Sequence, residues 1–370
     1  MFTELFYFYG NLKAMKCFFL PLFVIVFFFS CAKKEEKYVS RDISRIWIKN
    51  ILTDSTRSIR TLDIIDNNIY YAANNGRFGI ILKDGGKVID NIKLDSLIPS
   101  FRASGYNNKG FFILSIGTPG LIYKYTKHPK FNLFTEESSL VYQETHSKVF
   151  YDSMDFWNDQ EGIAIGDPTD DCMSIIITRD GGDTWTKLSC DALPKAEEGE
   201  AAFAASDTNI AIVGDHTWVA TGGKASRVLY SPDKGETWEI FDTPIIQGAA
   251  TTGMYSIDFY DALNGFAIGG DYTKPDENVA NKIRTSDGGK TWELVGQNEN
   301  PGYRSCVQYI PNGKGKELVA IGFKGIDYSN DSGNSWKHLS DEGFYTVRCL
   351  NDSVAYAAGN GRISKLIFRE

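Results

Sequence analysis

The chain has 370 residues, with 39 lysines and arginines against 47 aspartates and glutamates, and hence a formal net charge of −8. This acidic balance, without any basic stripe, argues against a nucleic-acid partner. The chain contains 35 glycines, 14% of its residues are aromatic, and no long segment keeps a helical apolar period, so we expect an all-β protein.

Residues 1–31 predict an N-terminal extension followed by a bacterial lipoprotein signal. From Met15 the chain has a short basic start, an apolar run at Cys17–Phe29 and a small residue before Cys31. We expect the Cys31 thiol to carry lipid and to hold the protein in the bacterial cell envelope, facing the periplasm or the cell exterior. The bulky residues just before this site depart from the usual lipobox, which leaves a plain signal peptide or an uncleaved anchor as alternatives. Residues 32–44 predict a tether.

The segment Arg45–Leu52 predicts a single β-strand. It is apolar and contains a tryptophan, but no neighbouring segment forms a hairpin with it. We therefore expect its partner to come from elsewhere in the chain.

One motif, [ST]-x-D-x-G-x-[ST]-W, occurs four times. Its aspartates are Asp180, Asp233, Asp287 and Asp331, at steps of 53, 54 and 44 residues. Such a period suits a four-stranded propeller blade and not a helical repeat. The glycine supplies a positive φ, and the aspartate can accept backbone N–H bonds, so each copy predicts a tight hairpin between two outer strands.

Two weaker copies precede these four. Leu82–Ile89 keeps the aspartate and two glycines but ends in isoleucine where the tryptophan belongs, and Gly120–Phe134 keeps only the flanking strands. Six repeats are thus accounted for.

On the four matching motifs, the chain resembles Asp-box (BNR) repeat β-propellers. That repeat is found in sialidases, in sortilin-like propellers and in the photosystem II stability/assembly factor family. Longer stretches such as Asp152–Pro168 and Ser256–Tyr272 resemble a bacterial branch of that last family, whose members are often labelled oxidoreductase. The resemblance covers most of the chain after residue 45 and implies a propeller with an arginine-bearing face that docks a partner polypeptide.

The C-terminal segment sets the predicted number of blades. Gly343–Phe368 contains three predicted strands, one short of a blade, and Arg45–Leu52 could supply the fourth. This pairing would close the ring and remove two strand edges. We therefore predict a seven-bladed β-propeller of four-stranded blades over residues 45–370.

The remaining cysteines show no metal-site spacing. Cys172 and Cys190 flank a predicted hairpin almost symmetrically, which is compatible with a disulfide in an oxidising compartment or with two buried thiols. Cys306 and Cys349 fall in predicted innermost strands and suit small core residues.

Repeat-equivalent positions at the start of each innermost strand predict a ring of side chains around the pore. With the positions that follow the second strands of blades three to five, they predict a mouth with a cationic half and an anionic half. The first set is Arg60, Arg102, Asp152, Glu200, Tyr255, Arg304 and Arg348, and the second set is Asp167, Asp215 and Asp271. We predict that all of these except Tyr255 bind a ligand.

Arginine suits bidentate recognition of carboxylates, so the predicted partner is a polypeptide or a small anionic or zwitterionic ligand. The alternative is that each arginine pairs with a neighbouring acid and seals the pore. We predict a monomeric binding or assembly scaffold with no catalytic residue, cofactor or metal.

Two enzyme functions are weaker alternatives. A sialidase-like hydrolase would need a tyrosine–glutamate pair, such as Tyr255 or Tyr345 with Glu200, and Phe101–Ser104 departs from the sialidase Phe-Arg-Ile-Pro motif. An oxidoreductase would need a dinucleotide fingerprint, which the glycine-rich hairpins lack.

Overall fold

The computed structural model describes residues 38–128 and 130–370. The signal segment, Cys31 and residues 32–37 of the expected tether therefore lie outside the described residues. Within the described part, no helix has the length and apolar character of a membrane span.

The described residues form 28 β-strands and one short 3-10 helix, Cys190–Ala192. In chain order the strands are β1 Arg45–Ile65, β2 Asn68–Ala73, β3 Arg77–Ile81, β4 Lys87–Asn91, β5 Ser100–Asn107, β6 Gly110–Ile116, β7 Gly120–Lys127, β8 Phe134–Glu144, β9 Tyr151–Phe156, β10 Gly162–Gly166, β11 Ser174–Thr178, β12 Thr186–Lys187, β13 Glu200–Ala201, β14 Ile210–Val213, β15 His216–Ala220, β16 Gly222–Gly223, β17 Arg227–Ser231, β18 Glu239–Asp242, β19 Thr252–Phe259, β20 Gly265–Asp271, β21 Lys282–Thr285, β22 Glu293–Leu294, β23 Cys306–Tyr309, β24 Leu318–Gly322, β25 Gly325–Ser329, β26 Lys337–Ser340, β27 Thr346–Cys349 and β28 Val354–Arg369.

The prediction of seven blades is wrong, because the strands of the described residues form six hydrogen-bonded sheets. Each sheet contains a four-stranded antiparallel blade, and two sheets carry additional strands. We number the blades 1 to 6 in chain order: β1–β4, β5–β8, β9–β12, β14-β15-β17-β18, β19–β22 and β23–β26.

The long strand β1 explains the difference. It is continuous over 21 residues. Its first half pairs with β28, from Arg45 opposite Arg369 to Thr53 opposite Arg362, and its second half pairs with β2. The C-terminal strands therefore join blade 1 in one six-stranded sheet and do not form a separate blade. The predicted pairing of Arg45–Leu52 with the C-terminal strands is nevertheless present and covers one edge of each strand there.

Buried apolar side chains lie between neighbouring sheets and hold the ring together. Between blades 4 and 5, the Trp218 ring stacks on the Phe259 ring with centroids 3.7 Å apart. Between blade 6 and the C-terminal strands, Val347 and Leu366 pack with Tyr328. Each sheet thus buries both faces, which accounts for the nearly continuous apolar character of the inner strands.

The four tryptophan-containing motifs form hairpin turns with one shared bonding pattern, and we call them the Asp turns. In the first turn, the Asp180 carboxylate accepts bonds from the Thr184 amide at 3.0 Å, the Thr184 hydroxyl at 2.6 Å and the Thr178 hydroxyl at 2.8 Å. Gly182 has φ +84°, and a Cβ atom there would collide with the Phe112 ring. The two weaker copies also form hairpins, β3–β4 and β7–β8.

Strand direction defines two faces of the ring. The innermost strands begin at one face, which we call the mouth face. They end at the opposite face, where the third strands also end and the Asp turns lie, and which we call the Asp-turn face. The first described residues are fastened on the Asp-turn face: Arg41 forms an ion pair with the buried Glu317 carboxylate, and the Tyr328 hydroxyl donates to the Arg41 carbonyl at 2.9 Å.

The alternative left open for Cys172 and Cys190 is settled by the structure, because the two residues form a disulfide. It ties the loop before β11 to the segment after β12, and so closes the outer edge of blade 3. Cys306 is buried and Cys349 half-buried in innermost strands, as predicted.

Candidate functional site

β-Bulges aim side chains into the mouth. The pairing register shifts at Arg60 in β1, at Arg102 in β5, at Asp152 in β9 and at Tyr255 in β19. A bulge leaves one residue without a ladder partner and turns its side chain out of the strand pattern. The same irregularity therefore recurs at equivalent positions of four innermost strands and builds part of the predicted ring.

The mouth contains a cavity of about 460 Å³, which we call the mouth cavity. Two arginines and one aspartate supply its charged lining, and aromatic rings together with alanines supply the rest of its wall. Its lining residues include Arg60, Arg102, Asp167, Phe150, Phe203, Tyr255, Tyr272, Tyr303, Phe323 and Tyr345.

Arg60 and Arg102 are half-buried, and among the described residues neither has a carboxylate partner within 4.0 Å. Arg60 donates to the Ala205 carbonyl at 3.1 Å and lies 4.0 Å over the Tyr345 ring, while its Nε atom has no partner. Arg102 donates to the Ala204 carbonyl at 3.3 Å. Burial, and then the charge of Arg60, lowers the pKa of Arg102 to about 10. The charge of Asp152 acts on Arg102, but neither arginine forms an ion pair with a described residue, so both guanidinium groups are available to a bound anion.

Asp152 and Asp167 form an acidic pair beside these arginines. Asp152 is fully buried, and neither carboxylate oxygen accepts a hydrogen bond of normal geometry. Burial raises the pKa of Asp152 well above its ordinary value, and the charge of Asp167 adds to that rise, whereas Arg102 and the nearby Ala204 backbone oppose it. Asp167 accepts the Ala202 amide at 2.9 Å, and burial raises its pKa to about 6.

The floor of the mouth cavity is a chain segment that crosses the pore, residues 202–208, which we call the plug. Its Asp207 carboxylate accepts the Thr61 hydroxyl at 2.6 Å and the Ser104 amide at 2.9 Å, and its Ser206 hydroxyl donates to the Ser305 carbonyl at 2.6 Å. The plug is thus bonded to blades 1, 2 and 6. It separates the mouth cavity from a second cavity on its other side.

Arg304 does not reach the mouth cavity, contrary to the sequence prediction. Its Nε donates to the buried Asp327 carboxylate at 2.6 Å, and Asp327 also bonds the His338 Nδ1 at 2.9 Å. Arg304 lines a neighbouring cleft instead. The nearby Asp327 carboxylate neutralises the guanidinium and directs it away from the pore.

Arg348 lies on the far side of the plug, also contrary to the prediction. In that repeat the side chain at the mouth belongs to Tyr345, three positions earlier, so Arg348 points into the second cavity, of about 190 Å³. There it donates to the Asp207 carbonyl at 2.9 Å. We call this second cavity the bore, and its acidic lining residues are Asp63, Asp155, Asp207 and Asp258.

Three acids that were predicted to bind a ligand do not line the mouth cavity. Glu200 is buried and pairs with Arg227 at 2.5 Å, and Asp271 closes its own turn by accepting the Thr273 amide at 2.9 Å. Asp215 is exposed on the Asp-turn face, because the strand before it, β14, is the innermost strand of blade 4 and not the second strand. The sequence prediction placed Glu200 in the innermost strand of this blade, whereas β13 pairs with β16 in another sheet, and Asp215 was therefore assigned to the wrong face.

The aromatic wall was missed at the sequence level apart from Tyr255 and Tyr345. The Phe203 ring stacks on the Tyr255 ring at 4.0 Å, and the Tyr303 ring meets Tyr255 edge-on at 4.8 Å. One signal was present: Tyr272 and Tyr303 each adjoin a predicted charged site in the chain.

Among the described residues, no group of three metal-ligating side chains was found.

No protein-family model and no curated protein matches the chain. Several solved structures are similar in fold. The structure described as YCF48 bound to D1 peptide has a TM-score of 0.62 at 14% identity, covering 90% of this chain and 98% of that chain. The WD40 repeats of RRP9 give a TM-score of 0.60 at 10% identity, covering 90% and 100%. The Niastella koreensis GH74 enzyme gives 0.54 at 13% identity, covering 85% of this chain and 43% of that chain.

These similarities support the β-propeller fold of this chain. The identities are too low for any function to be transferred with the fold.

Proposed function

We propose that the protein is a binding scaffold whose mouth cavity docks a segment of a partner polypeptide through an acidic group. The observation that carries this proposal is the pair Arg60 and Arg102, half-buried and without carboxylate partners among the described residues. Arginine forks match the geometry of a carboxylate, and the low polarity of a buried site strengthens the pairing.

The wall of the cavity supports a polypeptide as the occupant. Tyrosine and phenylalanine rings provide rigid contact area at small cost in conformational entropy, and they are enriched where proteins bind proteins. Tyr272 and Phe323 remain 47% and 41% exposed at the rim, so they could contact the chain on either side of the acidic group. A propeller of similar fold has been described with a bound peptide, which is compatible with this use of the mouth.

The test is the variant Arg60→Gln with Arg102→Gln, compared with Lys290→Gln, a charge removal at an exposed Asp turn on the other face. Each charge-assisted hydrogen bond contributes about 1.5–3 kcal/mol, so we expect the double variant to weaken binding at least about tenfold. Partners are captured from native membranes, identified by mass spectrometry and then titrated as purified segments. An unchanged affinity in a folded double variant would remove the docking proposal.

We further propose that lipid on Cys31 holds the protein at the bacterial cell envelope. The proposal rests on the signal-like segment that ends at this cysteine. One acyl chain gives weak binding, whereas several chains give stable anchoring. Cys31→Ala should therefore move the protein from the membrane to the soluble fraction and abolish incorporation of a labelled fatty acid, with Cys349→Ala as the control. Retention of the label in the Cys31 variant would contradict the anchor.

A further inference from the structure

The mouth cavity is not a uniform anion site, because a buried carboxyl lies next to its arginines. Asp152 has no exposed surface, and both of its oxygens are without a hydrogen-bond partner of normal geometry. Buried polar groups are almost always paired in folded proteins, so such a group calls for an explanation. Arg102 and the Ala204 backbone favour its ionised form, but among the described residues no cation forms an ion pair with it.

Asp167 connects this buried carboxyl to the cavity. One of its oxygens accepts the Ala202 amide, and its side chain lines the mouth cavity, as Arg102 does. Tyr151 of β9 pairs with Gly166 of β10, and Asp152 and Asp167 directly follow the two members of this pair in the chain. Burial raises the pKa of Asp152, and the charge of Asp167 accordingly adds to that rise. A cation bound at Asp167 would therefore stabilise both carboxylates and would lie next to an anion held by the arginines.

The surface outside Asp167 continues the acidic character. Asp167 also lines a shallow cleft that runs outward from the mouth. Its charged residues are Lys148, Asp170, Asp171, Glu197, Glu198 and Glu200. Glu200 and Glu197 pair with Arg227, Glu198 with Lys224 and Asp171 with Lys195. Asp170 keeps a charge without an ion pair to any described residue in this cleft and would guide a basic side chain towards Asp167.

We infer that the polypeptide docked in the mouth carries a basic residue beside its acidic group, with the acidic group on Arg60 and Arg102 and the basic group on Asp167 above Asp152. This inference rests on the proposed docking function and adds the chemistry of the partner. It makes the mouth selective for a mixed-charge segment over a purely acidic one, because an acidic ligand alone pairs with the arginine charge that otherwise acts on Asp152 and brings no cation to the two carboxyls.

Proton linkage gives the inference a second readout. Burial raises the pKa of Asp167 to about 6, and the Ala202 amide opposes that rise. The charged groups around it are Asp152, the arginines Arg60 and Arg102 that line the same cavity, and the charged residues of the outward cleft. A bound ammonium favours the ionised carboxylates, so binding of the mixed-charge segment should release protons and should strengthen as the pH rises through about 6. A purely acidic ligand gains nothing from that ionisation.

The experiment uses three synthetic peptides of equal length that differ at two positions. One carries glutamate and lysine, one glutamate and norleucine, and one glutamine and lysine, and binding to the full chain is measured by fluorescence anisotropy. At pH 7.5 we expect the glutamate–lysine peptide to bind at least about tenfold more tightly than the glutamate–norleucine peptide. This is the ratio of dissociation constants that one additional charge-assisted hydrogen bond produces. That preference should shrink at pH 5.5.

The variant Asp167→Asn should abolish the preference for lysine while it keeps the acceptor for the Ala202 amide, and its folding is checked by thermal melting. Asp215→Asn, at an exposed aspartate on the Asp-turn face, is the matched control and should leave the preference intact. Equal affinities of the two glutamate peptides, with both abolished by the arginine variant, would overturn this inference and keep the docking function. Binding that is insensitive to the arginines, or no binding of any peptide, would overturn both.

Discussion

At the scale of the residue, four arginines from repeating positions have three different surroundings. Arg60 and Arg102 face a cavity without carboxylate partners, Arg304 is paired with a buried aspartate, and Arg348 lies among the acids of the bore. Their side chains are chemically identical, so the neighbours within a few ångströms decide which of them can meet a ligand. The same holds for the acids, since Asp167 borders the cavity whereas Asp271 closes its own turn.

Breaking the buried ion pair of Arg304 and Asp327 by removing one partner should cost far more stability than removing both charges together. Both side chains are at most 5% exposed. Asp327→Ala leaves the buried guanidinium without its counter-charge and should lower the free energy of unfolding by about 3–5 kcal/mol. Urea denaturation measures the loss.

Two comparisons test the cause of that loss. Arg304→Met combined with Asp327→Leu removes both charges and should cost clearly less than the single change, because no unpaired charge remains buried. Glu293→Ala breaks a pair with Arg284 by removing a carboxylate that is 65% exposed, and should cost less than about 1 kcal/mol. A double variant as unstable as Asp327→Ala would show that shape, and not charge, dominates at this site.

At the scale of the element, two small irregularities organise the blades. The Asp turns let the outer strands reverse within a few residues, with the carboxylate of each repeated aspartate accepting the same three bonds. The bulges at the start of the innermost strands then point Arg60, Arg102, Asp152 and Tyr255 towards the axis. The first device is visible as a motif in the sequence, whereas the second depends on the pairing register and is not.

At the scale of the whole molecule, the ring creates a bore that no single blade contains. Four aspartates from the inner strands and the plug surround Arg348 there, so acids outnumber the one cation of the bore. Burial raises the pKa of Asp155 and of Asp258 to about 6, and it raises that of Asp63 as well. Ionisation of these groups at neutral pH therefore works against the fold.

The folded protein should consequently become more stable as the pH falls from about 7 to about 5. A carboxyl whose pKa is higher in the folded than in the unfolded state binds its proton first in the folded state, which adds stability over that window. Thermal melting should show an increase in Tm of a few degrees, since about 1 kcal/mol corresponds to about 2–4 °C in domains of 150–250 residues.

The variant Asp155→Asn with Asp258→Asn should flatten this dependence. Asp180 acts in the opposite direction: hydrogen bonds outweigh the effect of its partial burial and hold its pKa at about 2, so its contribution is lost only below about pH 4. A Tm that falls steadily from pH 7 to pH 5 in the wild type would contradict the role assigned to the bore.

The sequence by itself determined the architecture in outline. The period of the repeated aspartates indicated blades, the turn chemistry located the hairpins, and the unpartnered strand at Arg45–Leu52 indicated closure against the C-terminal strands. These features are local or periodic, so they appear as patterns along the chain. The positions of Arg60, Arg102, Asp152 and Asp167 near the mouth followed from that period together with the direction of the strands.

The tertiary structure alone decided the rest. The continuity of β1 merged the C-terminal strands with blade 1 and made six sheets, and the plug divided the pore into the mouth cavity and the bore. Arg304 is held away from the mouth cavity by an aspartate 23 residues further along the chain. Arg348 is replaced at the mouth by Tyr345, three positions earlier. Such outcomes arise from side chains that meet only when distant strands pair, because burial and partner distance are properties of the folded ring and not of the residue order.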